Sequence, residues 1–324
     1  DGFTIRGYGN GDFSPFGLYC SGGSGDCSPT IRNCVFTNNI SDAPVDLRDG
    51  AAAYVEGGSP KFENCRFTNN ASTFNRGSAL TSSEANPELY DCVFEGNRSA
   101  MGGGAVFALR NDSSGENATF TNCQFIDNDT RADENGAVEG PGGAIGSWGP
   151  TTVLRFNGCS FSGNIATQGG VLWVEESPLN YMSGCVLENN EATEADGGGA
   201  LYLPSYFTND QIENNLFCGN CDGDGCDTED QVAPLFGGQV DHIESLNTFE
   251  TTCVPTGACC LGTECVITTE ADCGGDYLGD NSDCLGNPCL ALGGCCTDFT
   301  CSISSEADCA GDYLGDGTDC LGNP

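Results

Sequence analysis

The segment FENCRFTNN, residues 62–70, is one of seven similar segments that recur along this chain of 324 residues. The set comprises IRNCVFTNN (31–39), FENCRFTNN (62–70), LYDCVFEGN (89–97), FTNCQFIDN (120–128), FNGCSFSGN (156–164), MSGCVLENN (182–190) and IENNLFCGN (212–220). The central cysteine returns every 26 to 36 residues, and the seventh copy carries Asn215 in its place. A regular period of this length is typical of repeat architectures.

A second motif, rich in glycine and apolar residues, lies between successive copies, as in GGGAVFAL (102–109) and GGVLWVE (169–175). Each repeat thus contains three short stretches of apolar, β-branched and aromatic residues separated by Gly and Asn, which are too short for helices. Three short strands per repeat, with insertions confined to one loop, are typical of a parallel β-helix. The sequence therefore predicts an all-β fold, a right-handed parallel β-helix of about seven rungs.

Three columns of side chains follow from stacking the repeats. Side chains two apart on a strand share a face, so Cys and Phe of the Cys-x-Phe motif are both predicted to point into the core, the cysteines mostly as free, inert thiols. The thiol column is Cys34, Cys65, Cys92, Cys123, Cys159 and Cys185. Two polar columns flank it, Asn33, Asn64, Asp91, Asn122, Gly158, Gly184 and Asn214 before the cysteine, and Asn39, Asn70, Asn97, Asn128, Asn164, Asn190 and Asn220 after the phenylalanine. We interpret both as turn positions, with amides that can also hydrogen-bond between rungs.

The C-terminal part contains a different repeat with a period of 36 residues. We predict a β-helix over residues 1–253, a first Cys-rich module over 254–290 and a second over 291–324, which stops before the equivalent of Cys289. Modules this small depend on disulfides. The predicted disulfide cysteines are Cys218, Cys221, Cys226, Cys253, Cys259, Cys260, Cys265, Cys273, Cys284, Cys289, Cys295, Cys296, Cys301, Cys309 and Cys320; their pairing stays open, and Cys20 and Cys27 could also close a loop.

The composition excludes several classes of function. Asp and Glu number 47 against ten Lys and Arg, a net charge of −37 that repels nucleic acid. No stretch approaches 18 apolar residues, so no membrane span is predicted. One Lys and one His leave little material for acid–base catalysis. The 23 cysteines in acid-rich, Asn/Gly/Ser-rich surroundings favour an extracellular, secreted protein.

Charge is unevenly distributed along the chain. All ten basic residues lie at or before Arg155, together with 19 acidic ones, whereas residues 156–324 carry 28 acidic residues. The loop CDGDGCDTED, residues 221–230, crowds hard oxygen ligands together and is our candidate calcium site. Its candidate ligands are Asp222, Asp224, Asp227, Glu229 and Asp230. A solvated acidic loop is the alternative interpretation, and no other cofactor is predicted.

Two further features could carry a binding role. Sequons for N-glycosylation occur at Asn111, Asn117, Asn39, Asn70, Asn97 and Asn128; an inward-pointing side chain at the last four would prevent modification. We also read the exposed face of the first strands as Tyr54/Glu56, Phe107/Leu109, Ile145/Ser147, Leu172/Val174 and Leu201/Leu203, without a cluster of acids. Trp148 and Trp173, on or beside neighbouring strands, could stack on a sugar or pack in the fold.

DGFTIRG (1–7), LFCGN (216–220) and the tandem modules built on ACCLGTEC and DCLGNPC resemble sequences of a known kind. The chain is similar to secreted right-handed parallel β-helix surface proteins of planctomycete-type bacteria, and more distantly to polymorphic outer-membrane protein repeats. The resemblance spans essentially the whole chain and implies a β-helix placed outside the cell. It implies little about activity.

Three functions are weighed on this basis. The leading hypothesis is a non-enzymatic extracellular structural protein, whose uncapped first rung and charge asymmetry favour head-to-tail self-association into a filament or surface layer. The alternative is a monomeric cell-surface adhesin that binds glycans through the loops at 71–88, 110–119 and 129–141. A polysaccharide lyase or hydrolase is disfavoured, because convergent carboxylates are not evident. The chain is therefore predicted not to be an enzyme.

Overall fold

The structure is a computed structural model in which two compact units, Asp1–Cys253 and Val254–Pro324, are recognised. It describes residues 1–9, 17–21, 27–41, 50–109, 116–130, 140–149, 152–175, 179–203, 212–226, 228–233, 239–250, 253, 256–261, 264–269, 273–278, 292–297, 300–305 and 312–316.

The first unit is built from four sheets in which every strand pairs in parallel with its counterpart one repeat away. Sheet A contains Thr4–Ile5, Val35–Thr37, Arg66–Thr68, Val93–Glu95, Gln124–Ile126, Ser160–Ser162, Val186–Glu188, Leu216–Cys218 and Thr248–Glu250. Sheet B contains Tyr8–Gly9, Ile40–Ser41, Ala71–Ser72 and Arg98–Ser99, and continues through a bridge at Asp129 to Ile165–Ala166 and Glu191–Ala192. Sheet C contains Leu18–Ser21, Ala53–Glu56, Leu80–Ser83, Val106–Leu109, Ile145–Trp148, Leu172–Glu175, Leu201–Tyr202 and Val232–Ala233. Sheet D contains Thr30–Arg32, Lys61–Glu63, Glu88–Tyr90, Glu116–Thr121, Thr152–Asn157, Leu179–Ser183 and Ile212–Glu213.

Along the chain each rung passes through sheets C, D, A and B in turn. This is the parallel β-helix that the repeats predict, and the fold class is confirmed. The prediction of three strands per repeat was wrong by one. The two-residue strand of sheet B follows the second Asn turn, and a strand this short has no recognisable alternation in the sequence.

The core of the β-helix consists of side chains stacked rung upon rung. Phe36, Phe67, Phe94, Phe125 and Phe161 are fully buried. Their neighbouring ring centroids lie 4.6–4.9 Å apart and the rings are within 10° of parallel. The repeat distance of a parallel sheet, about 4.8 Å, therefore sets the distance between the rings.

The two polar columns have different roles. The first column is left-handed, with φ of 51–66° from Asn33 through Gly184 to Asn214, as expected for turn residues. The second column was wrongly interpreted as turn positions. There the left-handed residues come one position earlier, at Asn38, Asn69, Gly96, Asp127, Gly163, Asn189 and Gly219. Freed from the turn, the second column points inward and is at most 1% exposed.

We call this second column, Asn39 to Asn220, the inward asparagine ladder. In it, both the backbone N–H and the side-chain Nδ2 of one asparagine donate to Oδ1 of the asparagine in the next rung, at 2.8–3.1 Å. Nδ2 also donates to the carbonyl of a Phe or Leu in the preceding rung, as from Asn70 to Phe36 O at 3.0 Å. Beyond Asn220 the ladder ends on Gln231 Oε1 at 2.9 Å. Every amide thus satisfies buried groups that strand pairing leaves open.

One acceptor of this ladder is unsatisfied. Asn39 Oδ1 is buried without a hydrogen-bond partner, and Gly7 occupies the ladder position one rung before it. Gly7 is not left-handed, and a Cβ there would lie 4.0 Å from Asn39 Oδ1, an ordinary contact. We expect Gly7→Asn to stabilise the protein by about 1 kcal/mol by donating to this oxygen. Gly7→Ala is the control in chemical denaturation, and an equal gain from alanine would contradict the hydrogen-bond explanation.

The last rungs of the first unit carry the two helices, α1 (Thr228–Gln231) and α2 (Gln239–Leu246). Ile243 of α2 is 2% exposed and joins the hydrophobic core, and α2 packs against the last strands of sheets A and D. Asn247 donates through Nδ2 to the carbonyls of Ile212 and Ile243, at 2.9 and 2.8 Å. None of the helices in the described part of the chain is long and apolar enough to cross a membrane.

The second unit contains two antiparallel sheets of three strands each. The first is formed by Thr256–Leu261, Glu264–Thr269 and Asp276–Tyr277, and the second by Leu292–Thr297, Thr300–Ser305 and Asp312–Asp316. The two sheets match the two copies of the 36-residue repeat. Antiparallel hairpins replace the parallel stacking of the first unit, since each copy folds back on itself.

Disulfides are present in both units. The described pairs are Cys20–Cys27, Cys218–Cys253, Cys221–Cys226 and Cys259–Cys273, and Cys260 is also disulfide-bonded. The other predicted disulfide cysteines, whose side chains lie outside the described part, are Cys265, Cys284, Cys289, Cys295, Cys296, Cys301, Cys309 and Cys320. Bridges of this number are typical of proteins outside the reducing cytosol.

Candidate functional site

The acidic loop predicted to hold calcium lies after the Leu216–Cys218 strand and is closed by the disulfide between Cys221 and Cys226. Helix α1 returns the chain to this loop and brings Asp230 to it. Asp222, Asp224 and Asp230 each offer a carboxylate oxygen, and these oxygens all lie within 4.8 Å of one another. Three of the five predicted ligands are therefore together.

The other two predicted ligands cannot be placed. Asp227 lies outside the described residues, and Glu229 is described only as part of the backbone of helix α1. Calcium takes about six to eight oxygen ligands, so the three clustered carboxylates would supply part of its coordination shell.

The three carboxylates repel one another. Asp222 is 8% exposed, and burial, with the neighbouring charges of Asp224 and Asp230, raises the pKa of its carboxyl group. The backbone N–H of Asp224 donates to Asp222 Oδ1 at 3.2 Å and partly opposes this rise. No Lys or Arg follows Arg155 in the sequence. The loop is thus more stable with a proton or a divalent cation bound than with three bare charges.

Four of the six sequons are incompatible with glycosylation of the folded protein. Asn39, Asn70, Asn97 and Asn128 are at most 1% exposed, and the Nδ2 atom that would carry the sugar is hydrogen-bonded within the inward asparagine ladder. Their prediction as acceptors was therefore wrong. Asn111 lies outside the described residues, and nothing is described of the Asn117 side chain.

The six thiols of the rung column are free and at most 3% exposed. Each donates weakly to a backbone carbonyl, as Cys34 does to Arg32 O at 3.1 Å. Burial raises the pKa of the Cys123 thiol well above its usual value. A thiol without access to solvent and without a thiolate is not a nucleophile, so the column is a filler of the core.

We expect these thiols to react with iodoacetamide only after unfolding. Exposure of Cys92 or Cys123 requires opening of the core, which should slow alkylation about a thousandfold or more relative to the unfolded chain. Peptide mass spectrometry after alkylation, with and without guanidinium, measures this. Equal labelling of these two cysteines in both conditions would contradict the buried column.

The outer face of sheet C differs from its prediction from the sequence. The outward residues are Tyr19/Ser21, Tyr54/Glu56, Thr81/Ser83, Phe107/Leu109, Gly146/Trp148, Trp173/Glu175 and Tyr202, as the strand register requires. Ile145, Leu172 and Leu201 are fully buried and Ser147, Val174 and Leu203 nearly so, hence these pairs point inward and were wrongly assigned. The correct parity exposes both tryptophans, and Tyr202 joins them.

On sheet D, cations pair with carboxylates of the following rung. The same pattern recurs on sheets A and B, and the four pairs are Arg32–Glu63, Lys61–Glu88 (2.7 Å), Arg66–Glu95 (3.2 Å) and Arg98–Asp129 (3.3 Å). Hydrogen bonds from Arg32 and Lys61 lower the pKa of Glu63 and Glu88, respectively. Carboxylates held ionised in this way are unsuited to act as general acids.

Comparison with protein families matches residues 10–153 to the family described as the right handed beta helix region. No curated protein and no solved structure matched the chain. The match does not concern the Cys-rich modules or the bacterial group to which we find a resemblance, and these stay predictions. Its hand and its stacked strands agree with the four parallel sheets, so the first unit is a right-handed parallel β-helix.

Proposed function

We propose that the chain is a non-enzymatic, extracellular structural protein in which the β-helix provides a stiff element. The observation that carries this proposal is the inward asparagine ladder, which links seven consecutive rungs from Asn39 to Asn220 through buried hydrogen bonds. Together with the stacked phenylalanines it fills the interior with side chains. A filled core with fixed hydrogen bonds resists bending and local opening.

A catalytic role has less support from the described carboxylates. Glu63 and Glu88 are paired with cations, and Asp222 sits among other acids in a disulfide-closed loop. Glycosidases instead need one carboxylic acid with a raised pKa facing an ionised one across the substrate. Incubation with acidic and neutral polysaccharides, followed by assays for reducing ends and unsaturated products, tests this part; release of either would overturn it.

Head-to-tail association is the mode of assembly that we propose. Strands Thr4–Ile5, Leu18–Ser21 and Thr30–Arg32 have a β neighbour on one side only, and so do Val232–Ala233 and Thr248–Glu250 in sheets C and A. Edge strands of this kind can pair with another chain. Helix α2 packs against the last strand of sheet D, which leaves sheets A and C for such pairing.

Electron microscopy of the secreted protein, with calcium and after chelation, tests assembly. Regular filaments under either condition support the proposal, and their loss on chelation would assign the contact to calcium. Single short particles under both conditions would overturn head-to-tail assembly. The adhesin alternative would then lead, although residues 110–115 and 131–139 of its predicted loops lie outside the described residues.

Calcium binding by the acidic loop is part of the proposal and has its own test. We expect calcium at about 10 mM to raise the free energy of unfolding by about 1–3 kcal/mol, the range for a weak extracellular site. Asp222→Asn should remove the effect. Glu213→Gln, an exposed acid in sheet D, is the matched control and should keep it. Equal stabilisation of the wild type and Asp222→Asn would contradict the site.

The pH dependence has a definite sign. Because the pKa of Asp222 is raised in the folded protein, the loop holds a proton more tightly folded than unfolded. Its contribution to stability without calcium is present at low pH and is lost as pH rises through the folded pKa. Calcium and the proton compete, so we expect calcium stabilisation to decrease as pH falls through that same pKa. Melting curves across pH, with calcium and with chelator, measure both trends.

A further inference from the structure

An aromatic strip runs along the outer face of sheet C on three consecutive strands. We define it by Trp148, Trp173 and Tyr202, each of which is partly exposed, and by the exposed carboxylate of Glu175. Trp173 pairs in register with Tyr202, and Glu175 with Trp148. Neighbouring strands lie about 4.8 Å apart, so the strip offers one aromatic ring per rung along the axis of the β-helix.

The same face is closed towards the first rungs. Thr81 and Phe107 are at most 1% exposed, because the chain at Arg76 and Gly77 lies over them. The guanidinium of Arg76 stacks on the rings of Phe107 and Trp148, with centroid distances of 4.9 and 5.5 Å. Arg76 thus marks one boundary of the strip. From there the rings of the strip face solvent in part.

The strip also presents polar groups that the fold does not use. Among the described residues, the indole N–H of Trp173, the hydroxyl of Tyr202 and the side-chain carboxylate of Glu175 have no hydrogen-bond partner. Aromatic residues that pack only for stability usually bond such groups when buried. Flat apolar rings beside free donors and one acceptor match the surface of a sugar, whose ring faces are apolar and whose hydroxyls lie around the edge.

Charge selects among possible occupants. The chain carries −37 overall, and its second half has no Lys or Arg after Arg155. A polyanion and a second copy of this chain are therefore both repelled. A basic peptide would need several acids along the strip, which has Glu175 alone. We propose that Trp148, Trp173, Tyr202 and Glu175 form a binding site for an uncharged polysaccharide, independent of the proposed structural role.

The two tryptophans of the chain both lie in the strip, so intrinsic fluorescence reports on it directly. We expect hydroxyethyl cellulose, galactomannan or dextran to shift the emission saturably and to retard the protein in native gels. Trp173→Ala and Tyr202→Ala should each weaken retardation about tenfold or more, since stacking and its buried area are lost. Tyr19→Ala, 46% exposed at the other end of the same face, is the control and should bind as the wild type.

Circular dichroism of each variant establishes that it is folded; if Trp173→Ala is not, Tyr202→Ala alone carries the test. Polygalacturonate and polylysine serve as the charged probes. Absence of any shift and retardation with all three uncharged polysaccharides would overturn the proposal. So would tighter binding of either charged probe, or an equal loss in Tyr19→Ala. Filament formation plays no part in the readout, so this result and the assembly result can fail separately.

Discussion

Replacement of Phe94 by alanine is expected to lower the free energy of unfolding by about 3–5 kcal/mol. Phe94 is fully buried, and its ring lies between those of Phe67 and Phe125, at centroid distances of 4.8 and 4.7 Å. Both neighbours belong to strands that pair with the strand of Phe94. Their backbone positions are set by that pairing, so they cannot collapse into the cavity, and the loss should lie near the upper limit of the range.

Urea denaturation followed by tryptophan fluorescence measures this loss, because both tryptophans lie in the β-helix. Phe74→Ala is the matched control. The side chain of Phe74 is 46% exposed, and its removal should change stability by less than about 1 kcal/mol. A loss at Phe94 no larger than that at Phe74 would show that the stacked rings do not stabilise the core.

The second large effect is expected for Asn128→Leu, which keeps the size of the side chain and removes its amide. Asn128 Oδ1 accepts from the N–H and Nδ2 of Asn97 at 3.0 and 2.9 Å, and its Nδ2 donates to Phe94 O at 3.0 Å. Leucine would leave the Asn97 N–H and the Phe94 carbonyl buried without these bonds. At about 1–3 kcal/mol for each stranded group, we expect a loss of about 2–6 kcal/mol.

Asn122→Gly, in the same rung, separates this effect from that of a turn. Asn122 is exposed and left-handed, and Gly158 and Gly184 occupy its position in the next two rungs. We expect a change below about 1 kcal/mol, since glycine adopts this conformation without strain. Equal destabilisation by Asn122→Gly and Asn128→Leu would show that the buried amide has no special role.

The fold was predictable because the repeats carry two independent signals, a period and a strict alternation within Cys-x-Phe. Large Phe and small Cys can share only the inner face, so the parity of sheet A is unambiguous. Sheet C is different, because a strand such as Ile145–Trp148 carries apolar residues on both faces. Parity there depends on hydrogen bonds between rungs, and these are not visible in one strand.

The candidate sites were predictable in part for the same reason. Asp222 and Asp224 are close in sequence, so their proximity follows from the loop itself, whereas Asp230 reaches them only through helix α1. The burial of Asn39 was also beyond the sequence. An asparagine that follows a left-handed residue and one that occupies the left-handed position look alike in a repeat, since Asn suits both turns and stacked amides.

The inward asparagine ladder has an electrical direction. Every amide in it presents its oxygen to the preceding rung and its N–H groups to the next, so the side-chain dipoles add as peptide dipoles do in an α-helix. The negative end lies at Asn39 and the positive end at Gln231. The fixed charges follow the same axis, since every Lys and Arg lies at or before Arg155 and 28 acidic residues follow it. The acidic half of the chain therefore surrounds the positive end of an internal dipole, which offsets part of its self-repulsion.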